Sequence, residues 1–202
     1  MRLRRLDRPA NNRKFNARPD PSDRMPRPLG FEFRSMPHAP ERCAQPEIEE
    51  HLFLDDGLVP NNPTLALRLY RRALPGQHPG AAQAIIQHFA ARGWTGAWIN
   101  GIYPFHHYHA TAHEVLGVAR GWAEVLFGGP KGVRVTVEAG DAVLIPAGVG
   151  HCRIDGSDDL SVVGAYPGGV DVDLQRATPA ARLASIPLIA RVPVWSRDPV
   201  TG

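Results

Sequence analysis

Cysteine is nearly absent from this chain: there are two in 202 residues, Cys43 and Cys152. Two isolated cysteines make no disulfide framework. The fold must therefore rest on a packed core, and a reducing cytoplasm is the expected location. No apolar run comes near the length of about eighteen residues that a membrane-crossing helix needs. No hydrophobic stretch follows the basic N-terminus, as a secretory signal requires. A Gly-rich phosphate loop, a Gly-x-Ser-x-Gly elbow and a Cys-x-x-Cys pair are all missing. Their absence removes nucleotide hydrolysis, serine hydrolysis and dithiol chemistry as leading functions.

Charge is unevenly placed. Residues 1–30 hold nine basic and three acidic residues, a net of +6; the rest holds 14 basic and 17 acidic, a net of −3. The part that folds is mildly acidic and carries no nucleic-acid footprint. Residues 1–46 contain eight of the twenty prolines and little apolar periodicity, which reads as a flexible basic arm. A single domain with extensions fits the length. It is expected over 47–176, with a C-terminal extension, 177–202, packed on it.

Twenty glycines and twenty prolines make a turn-rich chain, which favours many short strands. Leu65, Leu67 and Leu69 alternate with more polar neighbours, the pattern of a half-buried strand. Ala82, Ile85, Ile86 and Phe89 fall on one face of a helix over residues 80–92, and Gly93 stops it. From Trp94 onward, short apolar runs alternate with glycine turns. Strands are expected at roughly 94–100, 102–109, 114–120, 122–127, 133–138, 142–145, 150–154 and 160–166. With the strand at 65–70 that makes about nine, the count of a double-sheet jelly roll. A short helix is expected within 177–190, with Pro179 near its start, and the last ten residues as an extended tail.

Two strings carry the chemistry. The first is Gly101-x5-His107-x-His109-x4-Glu114-x6-Gly121. The second is Gly140-x5-Pro146-x-Gly148-x2-His151. Three imidazoles and one carboxylate are ligands for a divalent transition metal. His107 and His109 share a strand face. Glu114 follows at an odd step, so a turn through Ala110-Thr111-Ala112 must separate them. His151 must come from another hairpin, after the Pro146-Ala147-Gly148 corner. A divalent ion on this set carries a net charge of +1 and keeps one or two open positions. A closed structural zinc site would use cysteines, and neither cysteine fits the spacing. The competing reading is a jelly roll that keeps the pattern for packing and binds no metal.

The neighbours read differently. His106 is out of phase and is expected at the surface. His113 begins a His-Glu-x-x sequence, but Gly117 stands where a zinc protease needs its second histidine. His113 is therefore expected beside the ligands or at the surface. Cys152 should point away from the metal as an inert thiol. Tyr103 and Phe105 have the parity of His107 and are candidates for the pocket floor, with core packing the alternative. Trp94, Trp98 and Trp122 are expected in the core or an interface. Arg134 belongs on a solvated face. Arg153 shares the parity of His151 and is the better candidate to meet an anionic substrate.

Both strings resemble motifs 1 and 2 of the cupin superfamily. His107, His109, Glu114 and His151 match its metal ligands, and Gly101, Gly121, Gly140, Pro146 and Gly148 match its structural positions. Asp155 stands where motif 2 often has Asn. The stretch from Asn100 to Gly117 is similar to the small, uncharacterised YjlB-type bacterial cupins. So are Asp55-Asp56-Gly57, Pro60-Asn61-Asn62-Pro63 and the Asp198-Pro199-Val200 end. The resemblance implies an all-β fold, a double-stranded jelly-roll β-barrel with one or two peripheral helices, forming a homodimer. It implies a divalent ion (Fe2+, Mn2+, Ni2+, Zn2+ or Cu2+) in the mouth and a small-molecule ligand or substrate, with neither nucleic acid nor membrane as partner. Glu114 is then both ligand and candidate catalytic base. Dioxygenase, isomerase, decarboxylase and non-enzymatic binding roles all stay open.

Overall fold

A computed structural model describes residues 46–202. The basic arm read over 1–46 lies, except for Pro46, outside the described residues, as does Cys43. Short strands joined by glycine turns pair antiparallel throughout. In chain order they are β1 (Glu47–His51), β2 (Leu67–Arg71), β3 (Trp94–Asn100), β4 (His107–Tyr108), β5 (Glu114–Arg120), β6 (Trp122–Phe127), β7 (Val133–Glu138), β8 (Ala142–Ile145), β9 (His151–Gly156), β10 (Ser161–Pro167) and β11 (Gln175–Arg176). Helix α1 (Ala81–Ala90) precedes β3, and α2 (Pro179–Ile189) follows β11. One sheet has the order β1-β2-β8-β5-β10-β3, and the other β11-β4-β9-β6-β7. This is the jelly roll expected from the sequence, with two peripheral helices.

Two apolar layers hold it together. Leu67, Leu69, Leu116 and Val118 of the six-stranded sheet meet Val125, Phe127, Val135 and Val137 of the other between the sheets. On the outer face of the six-stranded sheet, Tyr70, Val115, Leu144 and Val163 pack with Ile85 and Phe89 of α1. Each fully buried Leu, Ile or Phe side chain contributes about 1.5–3 kcal/mol of transfer free energy. Strand β5 is buried on both faces, which explains its nearly unbroken apolar run. Gly117 at its centre has no room for a side chain: a Cβ would lie 2.8 Å from Ile85 Cγ2. Helix α1 has no side-chain N-cap, so its stability comes from this packing. Helix α2 is capped by Thr178, whose side chain accepts from the Ala181 N–H, with Pro179 in the first turn.

Three expectations change. The strand at 65–70 is buried on both faces, because Tyr70 fills the outer layer while Leu67 and Leu69 fill the inner one. The strand at 102–109 shrinks to His107–Tyr108; Pro104 lacks the N–H that a ladder needs. Two further strands form. Strand β1 pairs with β2 through ion pairs, Arg68–Glu50 at 2.8 Å and Arg71–Glu49 at 2.7 Å. Strand β11 is a two-residue pairing with β4.

The last residues lie against the outer face. The Trp94 indole N–H donates to the Arg197 carbonyl at 3.0 Å, the Tyr70 hydroxyl donates to Asp198, and Val200 is buried in the outer layer. No described helix is long and apolar enough to cross a membrane.

Candidate metal centre

The four sequence-predicted ligands come from both sheets and meet between them. His107 lies on β4 and His151 on β9, and the two are direct cross-strand partners. His109 follows β4. Glu114 opens β5 in the facing sheet. The turn required between His109 and Glu114 is present at 110–113 and is pinned from outside. Asp173 accepts from the N–H groups of Ala110 and Thr111, at 2.9 Å each, and from the Thr111 hydroxyl at 2.7 Å. The corner before His151 needs its glycine. Gly148 has φ +91°, and a Cβ there would sit 2.5 Å from the Asn61 carbonyl oxygen. That corner carries the chain from β8 in one sheet to β9 in the other.

Each mouth imidazole is oriented by a carbonyl. Nδ1 of His107 faces the Phe105 oxygen at 3.0 Å, Nδ1 of His151 faces the Val149 oxygen at 3.4 Å, and Nδ1 of His109 faces the Asp173 oxygen. A carbonyl only accepts, so Nδ1 carries the proton in each ring and Nε2 is left over. Glu114 is held similarly. The Trp98 N–H donates to the Tyr166 hydroxyl at 2.9 Å, and that hydroxyl donates to Glu114 Oε1 at 2.9 Å. Glu114 Oε2 is buried with no hydrogen-bond partner. It lies 3.5 Å from His109 Nε2 and 3.4 Å from His151 Nε2.

These donors fit a divalent metal. One donor nitrogen from each of the three histidines falls within 4.8 Å of the others. Ligand atoms about 2.1 Å from one ion stand about 3.0–3.4 Å apart at right or tetrahedral angles, close to the separations from Glu114 Oε2. A glutamate only 2 % exposed is costly unless a cation meets its carboxylate. His107, His109 and His151 can therefore hold a metal, and Glu114 Oε2 faces the same nitrogens of His109 and His151.

The electrostatics of the bare donors agree. Burial pushes the His107 imidazole down to about 3, helped by the neighbouring His151. Burial also opposes charge on His109, but the Glu114 carboxylate outweighs it and raises His109 to about 9. Glu114 is driven below the usual carboxylate range: burial works against its charge, and His109 and His151 overcome it. A proton on His109 thus stands beside Glu114 where a metal would otherwise balance that charge. Tyr166 is raised by burial and then by Glu114, so it stays a hydroxyl donor.

The donor set opens on a cavity of about 300 Å³. Its walls include residues that sequence reasoning did not assign to the site: Trp98, Tyr166, Asp173 and Leu174. Trp98 had been expected in a core or interface. The alternation along β10 and the aspartate before β11 are the only signals that could have found the others. Tyr103 lies at the rim rather than the floor: it is 47 % exposed and stacks on Phe105 with centroids 4.9 Å apart. Arg153 does not line the cavity. It borders a separate pocket with Pro104 and Asp155; its pairing keeps the His151 register, opposite Val125, so parity sets its face but not its place along the strand.

His106 is half-buried rather than superficial, and it lies outside the three-histidine group. His113 is not at the surface: it is 1 % exposed and bonds to the C-terminal segment and to the corner before His151. Trp122 is 40 % exposed. Cys152 is buried, and burial raises its thiol. Arg134 pairs with Glu124 on an open face. Asp155 accepts from the Gly156 N–H at 2.8 Å and does not reach the cavity.

The two-sheet jelly roll, with both motif strings folded into its mouth, defines a cupin. No family model matches the chain. It is 40% identical over 156 residues to the uncharacterized protein YjlB of Bacillus subtilis, covering 77% of this chain and 92% of that protein. The chain belongs to this YjlB family of cupins. Among solved structures it is similar to a cupin 2 domain-containing protein from Halorhodospira halophila (15% identity, 74% of this chain and 84% of that one, TM-score 0.31). It is also similar to the acireductone dioxygenase from Bacillus anthracis (19% identity, 43% of this chain and 58% of that one, TM-score 0.32).

Proposed function

We propose that this cupin is a divalent-metal-dependent enzyme acting on a small organic molecule, with oxidation by dioxygen as the leading reaction. The observation that carries this is the buried donor set, three Nε2 atoms and one orphaned carboxylate oxygen, opening on a cavity. His107, His109, His151 and Glu114 would hold the ion. When bound, it supplies Lewis acidity and, for a redox-active metal, electrons for oxygen chemistry. The chain's own residues do the rest. The three carbonyls fix the imidazole tautomers. Tyr166 and Trp98 hold Glu114 by one oxygen, so the other stays aimed at the donor set. If that oxygen is released, Glu114 is placed to take a proton from a substrate carbon or hydroxyl.

The test is to load metal-free protein with Fe(II), Mn(II), Ni(II), Zn(II) or Cu(II) and follow oxygen uptake and product formation with phenolic, diketone and hydroxy-acid substrates. Turnover with a redox-active metal, lost in His151→Ala, is expected. Turnover without oxygen consumption points instead to isomerisation or decarboxylation. No turnover with any metal overturns the enzymatic reading.

One observation favours a second reading, a metal and ligand binder without turnover. The titratable side chains that line the cavity outside the donor set are Tyr103, Tyr166 and Asp173. Tyr166 is committed to Glu114, and Asp173 accepts four hydrogen bonds from side chains and backbone around it. A ligand recovered unchanged after long incubation with loaded protein would support this reading.

A further inference from the structure

The cavity walls say what the site is built to receive. Ile99, Ile102, Leu116 and Leu174 supply aliphatic surface, and Trp98 and Tyr103 supply ring faces. A volume of about 300 Å³ is at the small end for ligand sites and equals about ten water molecules. Among the described residues the lining contains no Lys or Arg. Two described arginines on strands of the site, β11 and β9, are engaged with other groups. Arg176 places its guanidinium 3.8 Å from the centroid of the Phe105 ring, and Arg153 borders the other pocket.

The charge balance points the same way. A divalent ion with Glu114 leaves +1, and Asp173 in the wall brings the site to zero. Tyr103 lines the cavity with its ring held by stacking on Phe105, an aromatic face against which a flat ring packs.

We infer that the cavity takes a small, uncharged, ring-bearing molecule that presents hydroxyl or carbonyl oxygens to the donor set, and that it rejects analogues carrying a carboxylate or phosphate. This deepens the proposed function and rests on the same site. The aliphatic walls hold the ring. The absent cation sets the selectivity. Leu174 marks a wall position where one added charge should reverse it.

The experiment compares catechol with 3,4-dihydroxybenzoate, which keeps the same oxygen pair and adds a carboxylate. Oxalate is the third probe. Each is titrated calorimetrically into Zn(II)-loaded protein, because zinc does not turn the probes over. Catechol is expected to bind at least about tenfold more tightly than either anion. In Leu174→Arg the gap should close or invert. Either anion binding as tightly as catechol to the unaltered protein overturns the inference, and so does failure of all three to bind. The metal reading is scored separately, by zinc content and by repeating the titrations on metal-free protein with tryptophan fluorescence. Protein that retains no zinc but keeps the preference for catechol refutes the metal and upholds the ligand class. Protein that holds zinc and prefers the anions does the reverse.

Discussion

His113 and the three mouth histidines are all buried imidazoles, and they differ in what their second nitrogen meets. In the mouth, each Nδ1 faces a carbonyl and each Nε2 is left for the donor set. On the other face of β5, the Ala147 N–H donates to Nδ1 of His113 at 2.9 Å, and Nε2 of His113 donates to the Pro193 carbonyl at 3.0 Å. The ring also meets Trp195 edge-on. His113 is thus the opposite tautomer with both nitrogens satisfied, and it fastens the corner before His151 to the C-terminal segment. The same side chain serves binding where one nitrogen is unspent and structure where both are used. Burial alone does not separate the two roles.

The largest expected effect breaks the mouth. His107→Ala and His151→Ala should each lower metal affinity by more than about 100-fold, since loss of a supporting contact alone costs 10–100-fold. Both should remain folded by circular dichroism, because the core lies between and outside the sheets. The second effect falls on the other face. His113→Ala should lose about 2–4 kcal/mol of stability in urea, from two stranded backbone groups and a void, while keeping its metal. Metal loss in His113→Ala equal to that in His151→Ala would erase the distinction.

A smaller effect sharpens it. Tyr166→Phe removes the hydroxyl that holds Glu114 Oε1 and should weaken metal binding by about tenfold with little change in the imidazoles' own spectra. Unchanged affinity would show that Glu114 is placed by other contacts. The smallest effect concerns acid. Burial works against charge on Asp198, but the N–H groups of Thr201 and Val200 and the Tyr70 hydroxyl outweigh it and lower its pKa. A lowered folded value means stability that is present above the ordinary carboxylate range and lost as pH falls below it. The C-terminal segment should therefore loosen in acid below about pH 4. Asp198→Asn should flatten that dependence in amide hydrogen exchange.

Most of the fold was legible because the strands announce themselves. Strands β3, β6, β7 and β8 each sit between turns that contain glycine, β5 ends at one, and the residue ranges of all five agree with the periodicity. Strand β1 was not read, since Glu47-Ile-Glu-Glu-His51 looks solvated until Arg68 and Arg71 are placed opposite it. The residues brought together in the mouth were legible from spacing, including the forced turn before Glu114. Their supports were not. Tyr166 and Asp173 lie far along the chain from Glu114 and the 110–111 turn that they hold, and Trp98 acts through Tyr166, so local pattern marks them only weakly. Arg153 keeps the register of His151 yet borders another pocket, because strand parity fixes a face and not a position along it. The surface alternative for His113 failed because its partners come from the C-terminal segment and the corner before His151.

X-ray absorption at the metal edge, on protein purified without a chelating tag, tests the metal centre most directly. The expected result is about one divalent ion per chain, with imidazole nitrogens from three histidines and one carboxylate oxygen at about 2.0–2.2 Å. A sulfur ligand, fewer than two imidazoles, or no bound metal would contradict it.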